Sequence, residues 1–287
     1  MPTAPPQNAT PNQTPAPQKR LDFFVIGAQK AGTTALDFLL RQHGTIEMAT
    51  GKEVHYFDDE SLDWKNPPPR PLHARFDWTR PGLLRGEATP VYLYWPNALE
   101  RLNAYNAQAK LIVCLRHPSF RAFSHWRMET KRVRETFSFE QAIGPAGRAR
   151  VAAEPGGVHR VFSYVERGFY AAQIQRVLAL FAREHVHFLR TDRLWADPET
   201  TLAQVQHFLG VPARPLCGEQ AYIVPLDSSD LGGMPRGARA DLDALYSDDI
   251  KTTAALTGLD LADWLSPAYA EPMVEKGMTI LTSPTRL

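Results

Sequence analysis

Cysteine is scarce in this chain, with only Cys114 and Cys217 among 287 residues. Two cysteines cannot build a disulfide-stapled scaffold, and Cys114 sits in the apolar run "AKLIVCLR", where a free thiol serves as a small core side chain. Charge of one sign is missing as well. The 32 Lys and Arg against 31 Asp and Glu leave a formal net charge of +1. That balance excludes bulk electrostatic binding of nucleic acid, but it leaves room for a local basic pocket. No window approaches the roughly 18 apolar residues of a membrane span. His, Cys and acidic residues nowhere take zinc-ligand spacing, so no metal is expected. No segment repeats at a period of about 20–50 residues, which excludes a solenoid.

What remains is an ordinary globular composition, 44% hydrophobic, on a chain long enough to bury a sizeable core. The exception is the start, "MPTAPPQNATPNQTPAPQKR". It is Pro, Thr, Gln and Asn, with neither an apolar signal core nor an Arg-rich amphipathic pattern. Residues 1–20 are expected to form a disordered tail on a cytoplasmic protein, and 21–287 a single domain.

Within that domain, strands alternate with helices. Leu21 to Ile26 reads as a buried strand, and Thr33 to about Gln42 as the helix after a glycine loop. "KEVHYFDD" (Lys52 to Asp59) has a short β-like centre, and Leu83 to Gly86 reads as another short strand. Pro96 to Tyr105 starts like a helix. "AKLIVCLR" is a strand apolar on both faces, after which Pro118 opens a helix. Residues from about 137 to 166 read as short helices and loops. "GFYAAQIQRVLALFARE" is amphipathic, with Ile174, Val177, Leu178 and Phe181 on one face. "HVHFLR" follows as a strand, then a helix with Asp197 as N-cap, Pro198 at its first position and Gly210 closing it. Asp241 to Leu256 completes the set. The class is α/β, with a P-loop-like parallel β-sheet flanked by helices.

Ligands of such sheets bind beyond the carboxyl ends of the strands, and three stretches fall there. "FFVIGAQKAGTTALDFLL" carries Gly27 and Gly32 in a G-x-x-x-x-G frame before a helix, an anion cradle. Its lysine, Lys30, lies inside the loop, whereas a nucleotide triphosphatase would carry lysine after the second glycine, where Thr33 stands. In "CLRHPSFRAFSHW", Arg116 ends a strand and Ser124 lies about two helical turns on, an arrangement suited to a second phosphate. In "KEVHYF", an extended segment would turn Glu53 and His55 to one face, a carboxylate beside an imidazole fit for general-base work. Taken singly, each has a plainer reading: a tight turn, a surface arginine, a surface ion pair.

Taken in order, "QKAGTTAL", "KEVHYFD", "GEATPVYL", "LRHPSFRAFSHW" and "RGFYAAQIQRVLALF" resemble the sulfotransferases that use 3′-phosphoadenosine 5′-phosphosulfate (PAPS). The resemblance is to the branch of the heparan sulfate N- and 3-O-sulfotransferases and their bacterial relatives, from about Leu21 to Val211. It implies the sulfotransferase fold, PAPS as the donor and no metal. It also implies that Lys30 contacts the 5′-phosphosulfate and assists its departure, while Ala31, Gly32, Thr33 and Thr34 cradle the 5′-phosphate. Arg116 and Ser124 match positions that hold the 3′-phosphate, Glu53 the general base and His55 its partner. The acceptor would be a glycan or a small molecule with a hydroxyl or amine, its cleft formed by the loop 64–81 and the stretch 137–166. Arg167 and Tyr170 match a family motif that reads as helix start and packing. Tyr92, Tyr94, Trp95 and Trp126 are core, rim or cleft aromatics. Two departures stand out: Ala88 replaces a lysine of the animal enzymes, and "MPRGAR" (Met234 to Arg239) is a distant substitute for their C-terminal lysine-glycine-arginine loop. The competing readings are a P-loop kinase and a nucleotide-binding module without turnover.

Overall fold

A computed structural model describes residues 19–215 and 232–272. The expected tail, apart from Lys19 and Arg20, lies outside the described residues, as does Cys217. Among the described residues, five strands form one all-parallel sheet: β1 (Phe23–Gly27), β2 (Ile46–Met48), β3 (Leu84–Ala88), β4 (Lys110–Leu115) and β5 (Val186–Arg190), in the order β2-β3-β1-β4-β5. Phe24 pairs with Glu87 on one side and Leu111 on the other, and Val113 pairs with Phe188. β1 and β4 are apolar on both faces because helices cover both sides of a parallel sheet. From β1 the chain builds outward to β2, returns through β3, then crosses to β4 and β5. The carboxyl ends of β1 and β4 therefore flank the reversal of strand order, where open α/β sheets bind their ligands.

The helices are α1 (Thr33–Arg41), α2 (Arg70–His73), α3 (Ala98–Tyr105), α4 (Pro118–Lys131), α5 (Phe139–Ile143), α6 (Pro145–Ala152), α7 (Tyr170–Leu180), α8 (Thr191–Ala196), α9 (Pro198–Leu209) and α10 (Arg236–Thr257). One buried apolar cluster runs from Leu21 through the sheet to Trp264. α9 is built as its sequence indicates: the Asp197 carboxylate accepts from the Thr200 N–H at 3.1 Å, Pro198 opens the helix, and Gly210 closes it in the left-handed region.

Three expectations need correction. β2 was not foreseen, because a three-residue strand is too short for alternation to register. α10 starts at Arg236, five residues earlier than expected, so "MPRGAR" is the start of a helix rather than a closing loop; there Arg239 pairs with Asp243. The "KEVHYF" segment is not extended. Glu53 and His55 both take positive φ, 63° and 55°, so period-two alternation is not what brings their side chains together.

Gly86 allows the sheet its packing. A Cβ there would lie 2.2 Å from the ring of Phe23, which is wholly buried and paired beside it in β1. Gly86→Ala is expected to destabilise the protein by about 1–3 kcal/mol, the usual scale for overpacking a core. Urea denaturation measures it, and a loss under about 0.5 kcal/mol, the scale of a neutral surface change, would mean that the Phe23 ring turns aside freely.

Candidate active site

The loop after β1 is fixed from both sides. The Ala28 N–H donates to the Cys114 carbonyl at 2.7 Å, and the Thr191 hydroxyl reaches the carbonyls of Ala31 at 2.7 Å and Leu115 at 3.0 Å. Gly32 takes φ 79°, and a Cβ there would meet the Thr191 methyl at 2.8 Å. Being glycine, it gives α1 no side-chain cap. The first N–H groups of α1, including those of Thr33 and Thr34, therefore point their partial positive charge at the loop, a ready seat for an anion. Lys30 leans over it, half-buried, its ammonium 3.6 Å from the Met128 sulfur. Burial first, then the charges of Arg116 and Arg132, bring its pKa down to about 8.

Arg116 leaves the end of β4 beside this loop. Its Nη1 donates to the Lys30 carbonyl at 3.1 Å, and its guanidinium lies over the Trp195 ring. The fork itself is filled: Nε and Nη2 hold both carboxylate oxygens of Glu271 at 2.6 and 2.5 Å. Ser124 sits half-buried on α4. The "RGFY" motif, read as packing, also reaches the site. The Tyr170 hydroxyl donates to the Arg116 carbonyl at 2.8 Å, and Arg167 donates to the Gln29 side chain within the loop.

The third group is more than a pair. His55 Nδ1 lies 3.0 Å from Asp58, its Nε2 lies 3.5 Å from Glu53, and Lys52 donates to the other Glu53 oxygen at 2.7 Å. Asp58 is buried and also held by the Arg160 guanidinium, which stacks on the Trp95 ring. Hydrogen bonds to Asp58 and then Glu53 raise the His55 pKa to about 9, so the imidazole is a cation at neutral pH. For Glu53, burial would raise the pKa, but hydrogen bonds from His55 and Lys52 outweigh it and hold the carboxyl well below its usual range. Asp58 is lowered for the same reason: its burial is outweighed by His55 and Arg160. The structure thus brings Lys30, Ala31, Gly32, Thr33, Thr34 and Arg116 to one place, and Glu53 with His55 to another. Lys30 feels the charge of Glu53, which links the two.

Sequence reasoning missed Asp58, Arg160, Thr191 and Glu271. Only Asp58 left a local signal, an acid three residues after the histidine in "EVHYFD". Of the four aromatics, Tyr92 and Trp126 are core, the latter stacked on Phe123, while Tyr94 bonds Ser163 and Trp95 bonds Glu60. Ala88 is buried, and its carbonyl accepts from the Glu53 N–H at 3.1 Å. Among the described residues, no three His, Cys, Asp or Glu side chains converge as a metal site would need, and no helix is long and apolar enough to cross a membrane.

Comparison with known proteins gives a family and a fold. A family model described as "Sulfotransferase domain" matches residues 20–221. Mouse heparan sulfate glucosamine 3-O-sulfotransferase 6 is 31% identical over 196 residues, covering 66% of this chain and 52% of the mouse protein. The chain thus spans about half the length of that relative. Among solved structures, a sulfotransferase from Alicyclobacillus acidocaldarius matches with a TM-score of 0.74 at 27% identity, over 86% of this chain and 99% of that one. Mouse sulfotransferase SULT7A1 complexed with PAP, at 11% identity and a TM-score of 0.50 over 83% and 88%, shares the fold.

The His55 cation can be tested directly. Its imidazole is expected to titrate near pH 9 by NMR and to fall toward the ordinary 6.5 in Asp58→Asn, because Asp58 is its main partner. The sign follows: a raised histidine pKa adds stability that is full below about 6.5 and is lost as pH climbs through 9. An unchanged titration in Asp58→Asn would remove Asp58 from the site.

Proposed function

The chain belongs to the sulfotransferase family, and we propose that it moves a sulfuryl group from PAPS to a hydroxyl or amine of a carbohydrate or small-molecule acceptor. The observation that carries this reading is the uncapped glycine-loop start of α1, with Lys30 and Arg116 on one side and the Glu53–His55–Asp58 chain nearby. The donor supplies a sulfuryl group on a mixed anhydride and a second phosphate on its ribose. The residues suit both anions. A helix start without a cap and a lysine with no carboxylate of the described residues in hydrogen-bond reach are short of negative charge. Ala31, Gly32, Thr33 and Thr34 would hold the 5′-phosphate, and Arg116 with Ser124 the 3′-phosphate.

In this reading Lys30 stabilises the oxygen on which leaving-group charge grows. Glu53 accepts the acceptor's proton. His55, kept cationic by Asp58, steadies the Glu53 carboxylate and orients it. The loop, the α1 start and the two cations hold the reacting groups in line, so much of the rate comes from positioning. Thr33, standing where a kinase carries its phosphate lysine, weighs against the kinase reading. A base beside the loop weighs against a module that only binds. A cytoplasmic location belongs to the same proposal. So does the single domain.

Occupation of Arg116 by Glu271 has a consequence for this reading: a 3′-phosphate must displace that carboxylate. Calorimetry with 3′-phosphoadenosine 5′-phosphate (PAP) in EDTA, against ADP, is expected to give micromolar binding of the first alone. Glu271→Gln should tighten PAP by about tenfold, and Arg116→Ala should weaken it by about 2 kcal/mol, the scale of a charge-assisted contact. Preference for ADP once Mg²⁺ is added would replace this reading with the kinase. With PAP bound normally, Lys30→Ala is expected to lower turnover by about 10²–10³-fold, the scale for one charge-stabilising group. Glu53→Gln should lose about 10²–10⁴-fold, the scale of a general base, with PAP affinity intact. Near-normal turnover in either variant would overturn the role given to that residue.

A further inference from the structure

Glu87 has no part in the chemistry above, yet it is wholly buried at the end of β3, where a carboxyl needs a reason to be. Its surroundings supply one. The Thr89 hydroxyl donates to Glu87 Oε2 at 2.7 Å and accepts from the His55 N–H at 3.4 Å. The Tyr92 hydroxyl, buried nearby, accepts from the N–H groups of Tyr56 at 3.0 Å and Phe57 at 3.4 Å. Three consecutive main-chain donors therefore end on two buried hydroxyls. Each hydroxyl can turn its lone pairs to those donors only if its own proton goes elsewhere. For Thr89 that acceptor is Glu87.

These donors belong to the turn that assembles the Glu53 group. Glu53 and His55 hold left-handed backbone without being glycine, a conformation that is costly for a residue with a side chain and persists only where the surroundings enforce it. We propose that Glu87 is the positioning residue of the site: by accepting the Thr89 proton, it aims that hydroxyl at the His55 N–H and helps fix the turn that brings Glu53, His55 and Asp58 together. Burial first, and less so the charge of Asp58, raise the Glu87 carboxyl to about 7 against the pull of Thr89, Tyr92 and His55. Its charge is therefore not fixed at neutral pH, whereas an acceptor oxygen at Thr89 is present in either form. An amide should then replace it, and a hydrocarbon should not.

As an account of how the proposed catalytic group is held, this inference rests on the sulfotransferase reading, but its test needs neither donor nor acceptor. In the full chain, the His55 imidazole is followed by NMR titration, its signal assigned by loss in His55→Asn. In wild type and Glu87→Gln it should titrate near 9, and in Glu87→Leu and Thr89→Val it should fall toward 6.5. PAP affinity, measured alongside, should stay the same in all four. Thr89→Val removes a single hydroxyl at constant shape, so it carries the test even if Glu87→Leu fails to fold. A titration unmoved in Thr89→Val, or a wild-type His55 near 6.5, would overturn the proposal. So would a Glu87→Gln value as low as that of Thr89→Val, since charge rather than hydrogen bonding would then be at work. Absence of PAP binding by a wild type whose His55 responds as described would instead sink the sulfotransferase reading.

Discussion

One hydroxyl proton, that of Thr191, decides where the glycine loop lies. It is shared between the carbonyls of Ala31 in the loop and Leu115 at the end of β4. The Ala28 N–H bond to the Cys114 carbonyl ties the start of the loop to β4, and Thr191 extends that tie to the far end of the loop at Ala31. With the loop and β4 joined, Arg116 comes near enough to bond the Lys30 carbonyl, and Tyr170 locks Arg116 from below. Gly32 is required at the same spot, because its missing Cβ is what lets Thr191 approach. The order of the sheet sets these elements side by side, but the threonine sets their spacing to within a hydrogen bond.

The consequence is an accumulation of positive charge. Lys30 loses basicity first to burial and then to Arg116 and Arg132. His125, buried on α4 with neither ring nitrogen bonded among the described residues, is kept neutral by burial and by the nearby Arg167, Arg121 and Lys30. Desolvated cations crowded together are unstable unless an anion joins them. Glu271 answers part of that need at Arg116, while among the described residues Lys30 has only a methionine sulfur in hydrogen-bond reach and the charge of Glu53 nearby. A carboxylate and a phosphate satisfy the same guanidinium fork, so the contact that stabilises the free protein is the one a phosphate would replace.

What could be read in the sequence, and what could not, follows from distance along the chain. β1 and β4 announce themselves as apolar runs, and α9 by Asp197, Pro198 and Gly210, because each signal lies within a few residues. Lys30, Arg116 and the Glu53–His55 pair were legible through residue type and order. The turn at Glu53 and His55 was not, since neither glycine nor asparagine marks its left-handed backbone and the hydrogen bonds that enforce it come from Thr89 and Tyr92. Arg116 and Glu271 stand 155 positions apart, and Arg160 and Asp58 stand 102 apart. No local pattern joins such pairs. For Glu53 and His55 the expectation that the side chains meet held, while the reason given for it, strand alternation, did not.

In the proposed transfer, the depressed pKa of Glu53 would by ordinary measure make it a poor base, and the chemistry of sulfuryl transfer resolves the difficulty. An alcohol holds its proton far too tightly for a weak carboxylate to remove in advance. Once its oxygen has begun to bond to sulfur, that oxygen takes on positive character and its proton becomes strongly acidic. A carboxylate of ordinary or even low basicity then suffices, provided that it is ionised and in place when the bond forms. Lys52 and His55 meet the first condition by holding Glu53 ionised at any neutral pH. The left-handed turn, tied to β3 through the Ala88 carbonyl and to the hydroxyls of Thr89 and Tyr92, meets the second. In such a site the fold serves catalysis more by fixing where the carboxylate stands than by tuning how strongly it binds a proton.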